Sequence, residues 1–232
     1  TAGNKVKPIK KKIMSRANYS IVKQKYAGIG KSPRITQSTL LLTKAISTTT
    51  TNYQFDILDS QTTTLQTNEI RLNINDEFTV THIGIFLQGI ANTGATKLMS
   101  YAPFELDAVK AGTLNGLFDG VLKISVNNVV YVDKWDTRKH EIVPMAQHHQ
   151  FLTTTQFAQI AQFSTKEYLY PVEPLITLSG AKKNQIELNL PVALTGQTFT
   201  NAGQTGTYSV VIDRIAVMLR GYNAQNAAGF QS

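Results

Sequence analysis

An antiparallel β-sandwich is the fold class this sequence predicts, on three observations. Nine or ten short segments rich in β-branched and aromatic residues follow one another from Ser38 to Leu219, separated by turn residues. Helical periodicity is confined to two stretches, and neither a strand–helix–strand alternation nor an internal repeat occurs, which argues against a parallel sheet. The chain of 232 residues has no cysteine, so disulfides and thiolate metal sites are excluded and a hydrophobic core must hold the fold.

Residues 1–37 carry scattered apolar side chains without a sustained period, and Pro8, Gly28, Gly30 and Pro33 punctuate them. An extended, irregular arm that orders against a partner is expected there. The β body is expected over residues 38–220. Ser38–Thr48 is β-branched and apolar, and Tyr53–Leu58 places Tyr, Phe and Ile on one face. Glu69–Ile74 alternates Ile70, Leu72 and Ile74 against Glu69, Arg71 and Asn73, the pattern of a half-buried strand. Phe78–Ile90 is longer; Phe78, Val80 and His82 share a face, and Ile83, Ile85 and Leu87 follow after a phase shift near Gly84 that predicts a bulge or bend. Asn127-Asn128 between Leu122–Val126 and Val129–Val132 predicts a two-residue hairpin, since Asn tolerates positive φ. Further strands are expected at Glu167–Tyr170, Leu175–Leu178, Gln185–Leu190 and Tyr208–Leu219, and short helices at Pro103–Lys110 and Thr153–Phe163. Long connections near residues 91–117 and 133–166 interrupt the hairpin-paired runs, which favours a jelly roll among sandwiches. Gly221–Ser232 is low in charge and is expected to be a flexible tail.

Charge divides the chain. Of 23 basic residues, eleven precede Asp56, the first acid, which leaves 12 against all 15 acids in residues 56–232. The net +8 therefore belongs to the N-terminal segment, and the body is slightly acidic. Lys5, Lys7, Lys10, Lys11, Lys12, Arg16, Lys23, Lys25, Lys31 and Arg34 are the candidate nucleic-acid contacts, interleaved with Tyr19 and Tyr26. Such cations neutralise phosphates and release counterions, while aromatics stack on unpaired bases. The same segment would also dock on acidic faces of neighbouring subunits. Charged residues are only 16% of the chain, and 28 threonines fill much of the gap. That composition suits a body buried in many protein contacts, and equally a Thr-rich β protein. No apolar run is long enough for a helix to span a bilayer, and no apolar signal-peptide core follows the first residues, so a soluble chain outside the classical export route is expected.

Catalytic constellations are not legible. Gly28-Ile29-Gly30-Lys31-Ser32 resembles the end of a phosphate-binding loop, but Lys25 stands where its first glycine belongs and Pro33 follows at once. Asp133, Asp136, His140, Glu141, His148 and His149 cluster in sequence without a metal-ligand spacing. No nucleophile elbow and no convergent carboxylate pair can be nominated, so no catalytic residue, metal or other cofactor is expected. Asn18-Tyr19-Ser20 fits a glycosylation acceptor, read as a chance match in a chain of this kind.

A basic, acid-free N-terminal arm followed by a Thr-rich, cysteine-free body of eight or more strands resembles the coat proteins of small icosahedral viruses and phages. The resemblance covers the whole chain as architecture, without a residue-by-residue motif, and the arm is Lys-dominated rather than an Arg block. It implies a virion structural protein without catalysis: many copies in a closed shell, an arm facing the viral nucleic acid or lacing subunits, and other virion proteins as further partners. Two alternatives lie in other classes. A carbohydrate- or receptor-binding sandwich would use Trp135, the single tryptophan, as its platform, and a non-viral nucleic-acid-binding β domain would act as a small oligomer.

Overall fold

The computed structural model describes residues 14–28, 32–59, 69–103, 107–142, 168–203 and 206–228. In chain order they form α1 (Met14–Ala27), β1 (Ile35–Ala45), β2 (Asn52–Phe55), β3 (Glu77–Ala91), β4 (Thr96–Met99), α2 (Ala108–Asn115), β5 (Val121–Val126), β6 (Val129–Asp136), β7 (Tyr170–Ser179), β8 (Asn184–Asn189), β9 (Gln197–Gly203) and β10 (Gly206–Ala224). Two antiparallel sheets result, as the sequence predicts. The larger runs β1-β10-β3, with β7 and β4 in tandem along the free edge of β3 and β9 continuing the line of β1 along β10. The smaller runs β2-β8-β5-β6. With β4 and β9 set aside, the pairs are nested: β1 with β10, β2 with β8, β3 with β7 and β5 with β6.

The inner faces of the two sheets make the main core. Phe78, Val80, Ile83, Ile85 and Leu87 of β3 and Ile212, Ile215, Val217 and Leu219 of β10 meet Leu122, Ile124, Ile186 and Leu188 of the smaller sheet. Non-directional burial of this apolar surface is the dominant favourable term in folding. α2 and the turn of 3-10 helix after it add Ala111, Leu114, Leu117 and Phe118 to the core. Asp107 caps α2 by accepting from the Val109 and Lys110 amides, 3.1 Å each. The helix therefore begins beyond most of the predicted Pro103–Lys110 span.

The phase shift in β3 is real, but it falls at Thr81. Arg220 pairs with His82 while Gly221 pairs with Val80, so Thr81 is the extra residue and its hydroxyl donates to the Arg220 carbonyl at 3.0 Å. His82 consequently points away from the core rather than sharing a face with Phe78 and Val80. At Gly221 a Cβ would run into the Thr79 carbonyl, so only glycine allows the strands to approach here. The hairpin prediction holds: Asn127 and Asn128 join β5 to β6 with φ of 49° and 63°.

Glu69–Ile74 is a correction. Only isolated bridges at Ile70 and Leu72 form, and Ile70 and Ile74 are exposed while the Glu69 and Arg71 side chains are buried. The Glu69 carboxylate accepts from the Thr43 amide and hydroxyl at 2.9 and 2.6 Å and pairs with Arg71 at 3.3 Å, so these two expected outer side chains are buried, while of the expected inner set Leu72 alone enters the core. Two expected strands, Glu167–Tyr170 and Leu175–Leu178, are represented by one, β7. Gly221–Ala224 belong to β10, and Ala227 is buried, so the expected tail is structured as far as Ala228. The helix expected at Thr153–Phe163 lies outside the described residues.

Candidate nucleic-acid interface

The basic segment is not extended throughout. α1 occupies Met14–Ala27, where Ala17, Lys23, Gln24 and Lys25 are good helix formers and Lys25 lies in the last turn, favourable to the helix dipole. One stripe of it is apolar: Val22 and Tyr26, four residues apart, are buried on Ala224 and Ala227 at the end of β10. Tyr19, one turn earlier, meets Tyr222 at 5.8 Å between ring centroids. The stripe is short, which is why it does not stand out in the sequence.

A buried carboxylate fastens the helix. Glu77, at the start of β3, has a side chain only 1% exposed; its Oε2 accepts from Lys25 Nζ at 3.0 Å and from the Tyr26 hydroxyl at 2.8 Å. Lys25 Nζ also donates to Thr177 Oγ1 on β7 at 3.2 Å. Burial first, and then the Glu77 hydrogen bond, raises the Tyr26 hydroxyl pKa well above its ordinary value, so the phenol stays protonated and donates. Sequence reasoning missed Glu77, because nothing local links it to a helix some fifty residues earlier.

The predicted contacts fall into three groups. Lys5, Lys7, Lys10, Lys11, Lys12 and Lys31 lie outside the described residues, and Arg16 is placed within α1. Lys25 is committed to Glu77, so its ammonium already has a carboxylate partner within the chain. Lys23, on the exposed side of α1, and Arg34, exposed just before β1, face solvent. Nearby, the large sheet turns a further cation outward at Arg220, directly across from His82.

The other candidate chemistry resolves into structure. The Gly28–Ser32 motif follows helix α1 and precedes strand β1, the reverse of the strand-then-helix setting in which such a loop cradles phosphates. His140 is fully buried, and its Nε2 accepts from Trp135 Nε1 at 2.9 Å, which uses the lone pair a metal would need. Its ring meets Tyr170 edge-on at 4.9 Å. Burial, then Lys139, pulls the His140 pKa down to about 4. Asp136 caps a short 3-10 turn and pairs with Arg138 at 2.9 Å. Among the described residues no group of His, Asp and Glu is arranged to hold a metal ion; His148 and His149 lie outside them. Trp135 is half-buried, and Lys139 Nζ sits 3.4 Å from its ring centroid, so one face of the expected sugar platform is covered.

No described helix is long and apolar enough to cross a membrane. No protein-family model, no curated protein and no solved structure matches the chain.

Proposed function

We propose that this chain is a coat subunit of a small icosahedral virus or phage. In this reading a jelly-roll body packs with many copies of itself into a closed shell and presents a basic N-terminal segment to the packaged nucleic acid. The observation that carries the proposal is the nested strand order. A jelly roll arises when a long antiparallel hairpin of eight strands folds over so that its strands alternate between two sheets. That winding leaves first paired with last and so on inward, which is the arrangement β1-β10-β3-β7 facing β2-β8-β5-β6. Architecture alone does not fix function, since lectins and other proteins use the same winding. The charge partition favours the coat reading among them. Eleven basic residues precede the first acid, ahead of a body with 12 basic and 15 acidic residues. A single site that binds a small ligand does not call for that division, whereas a subunit holding a polyanion on one side and like copies on the others does.

The test is negative-stain electron microscopy of the full chain, at low and high salt, with and without nucleic acid. Closed shells or regular arrays support the proposal; small particles that ignore both salt and nucleic acid sink it. Removal of residues 1–13, which precede α1, should leave the body folded and change assembly or nucleic-acid retention. A longer deletion would cut into α1 and β1 and test stability instead.

A further inference from the structure

On β3 and β10, His82 and Arg220 are directly opposed. Their neighbours Ile83 and Leu219 enter the core, so both side chains point from the outer face of the large sheet, where both are half-buried. Opposed residues on antiparallel strands have Cβ atoms about 5 Å apart. Among the described residues no carboxylate pairs with Arg220. On this outer face Glu77 is occupied by Lys25 and Tyr26, and the exposed Glu173 of β7, two residues from Pro171, forms no ion pair with Arg220 among the described residues. Two residues beyond Arg220 on the same face, Tyr222 meets Tyr19 of α1 with the rings tilted 57° to one another, and Tyr19 is 41% exposed. Lys23 lies one helical turn from Tyr19 and is exposed. Cations and aromatics thus follow one another across helix and sheet: Lys23, Tyr19, Tyr222, Arg220, His82.

We propose that Arg220 and His82 form a binding site for a backbone phosphate of single-stranded nucleic acid, with Tyr19 as the platform for a neighbouring base; the proposal rests on the genome-contact reading above. A guanidinium offers a fork of donors to phosphate oxygens, and aromatic faces accept any unpaired base. The aromatic step is what favours a polynucleotide over free phosphate.

His82 makes the site responsive to pH. The Thr81 hydroxyl gives its proton to the Arg220 carbonyl, so it accepts from His82 Nδ1, 3.0 Å away. Neutral His82 then has a bare Nε2, which becomes a donor only when the ring is protonated. Burial, and then Arg220, holds the His82 pKa below its ordinary value. An anion between the two side chains offsets Arg220 and draws the proton on. Opposite His82 stand Pro171 of β7, which does not titrate, and Arg220 of β10, and the further charged group on this face of β7 is the exposed carboxylate of Glu173, two residues from Pro171. Binding therefore tightens as pH falls.

The experiment is fluorescence anisotropy of the full chain with short labelled single-stranded DNA and RNA, over a salt series at about pH 6 and about pH 8, bracketing the histidine range. Loss of one phosphate contact flattens the plot of log affinity against log salt by about 0.7 for single strands. Arg220→Gln should flatten it by about that amount at both pH values, Arg220→Lys should keep the slope, and His82→Gln should remove the pH dependence. Unchanged slopes in folded Arg220→Gln and an intact pH dependence in His82→Gln would overturn the site and leave the coat reading standing. Absence of any oligonucleotide binding by the full chain would overturn both. Displacement by inorganic phosphate at matched ionic strength, with Tyr19→Ala binding as the parent chain does, would assign the site to free phosphate and overturn the polynucleotide proposal. Matching thermal melts for the variants establish that each is folded.

Discussion

The two sheets of the sandwich share one core and differ in what they do with their other face. Along β3, in the middle of the large sheet, every residue except His82 and Ile90 is buried, inside and out. Its outer face packs Phe86 with Leu41, Ala216, Tyr168 and Leu169, and α1 covers the end near Glu77. The edge strand β6 of the small sheet buries only Val132 fully, and its Val129, Val130 and Tyr131 are exposed. β3 is thus an interior strand of its own chain, and β6 is surface. Truncation gives the largest effects. Phe78→Ala, on the inner face, should cost about 3–5 kcal/mol, and Phe86→Ala, on the outer face, should cost nearly as much. Tyr131→Ala should stay within about 0.5 kcal/mol in the isolated subunit. Urea unfolding measures all three. A Phe86→Ala cost near that of Tyr131→Ala would mean that the outer face of the large sheet is not covered in solution.

The same contrast decides what could be read from sequence. β8 is buried at Ile186 and Leu188 and half-exposed between them, so period two gives its span almost to the residue. In β3 both faces are apolar, and hydropathy cannot say which residue faces the core; the bulge was detectable, but its place at Thr81 depends on pairing with β10. Glu69–Ile74 misled for the opposite reason. Its charges are buried because Thr43 and Arg71 satisfy the Glu69 carboxylate, and those partners are invisible to a local pattern. Asn127-Asn128 was legible because the turn's chemistry is local. Of the candidate interface, the density of lysines was plain from composition. That Lys25 turns inward to Glu77, and that Arg220 meets His82 outside, are facts of tertiary structure, 52 and 138 residues apart in the chain.

His140 joins the two sheets, taking the Trp135 indole proton from β6 and the edge of Tyr170 from β7. Its folded pKa, about 4, lies below the unfolded value of 6.5, so the fold favours the neutral ring. Stability from this group is complete above about pH 6.5 and is lost as pH falls through the window toward 4. Between pH 7 and pH 5 the loss should be about 2 kcal/mol by linkage. Burial lowers the His82 pKa as well, in the same direction. The check is therefore urea unfolding of the parent chain, His82→Gln and His140→Gln at both pH values. Most of the slope should vanish in His140→Gln, although that variant is less stable at pH 7. Retention of the slope there would remove His140 as the hinge between the sheets.

The cover on the large sheet is the weaker layer at its α1 end, where Val22 and Tyr26 provide the apolar contact and Glu77 the polar one. Glu77→Gln keeps an acceptor for Tyr26 but removes the charge beside Lys25, at a cost of about 1–3 kcal/mol. The loss should appear as local release, with tryptic cleavage after Lys23 faster by roughly ten- to a hundredfold and the main thermal transition little changed. A large fall in the main transition with unchanged cleavage would show instead that Glu77 belongs to the body's cooperative unit.

The smallest expected effect lies at the turn into β6. Asn128 sits at φ 63° in the β5–β6 turn, a conformation glycine adopts freely and a β-branched residue resists. Asn128→Gly should change stability by no more than about 0.5 kcal/mol, because relief at positive φ is offset by a freer unfolded chain. Asn128→Val should cost about 1–2 kcal/mol. Neighbouring Asn127 is tied differently: its Oδ1 accepts from the Lys183 amide at 3.1 Å, and its own amide donates to the Lys183 carbonyl at 2.8 Å. Asn127→Gly gives up the side-chain bond as well, so it should cost more than Asn128→Gly. Equal costs at the two positions, measured by urea unfolding, would mean that the turn is held by its own backbone alone and that its contact with the β7–β8 turn adds nothing.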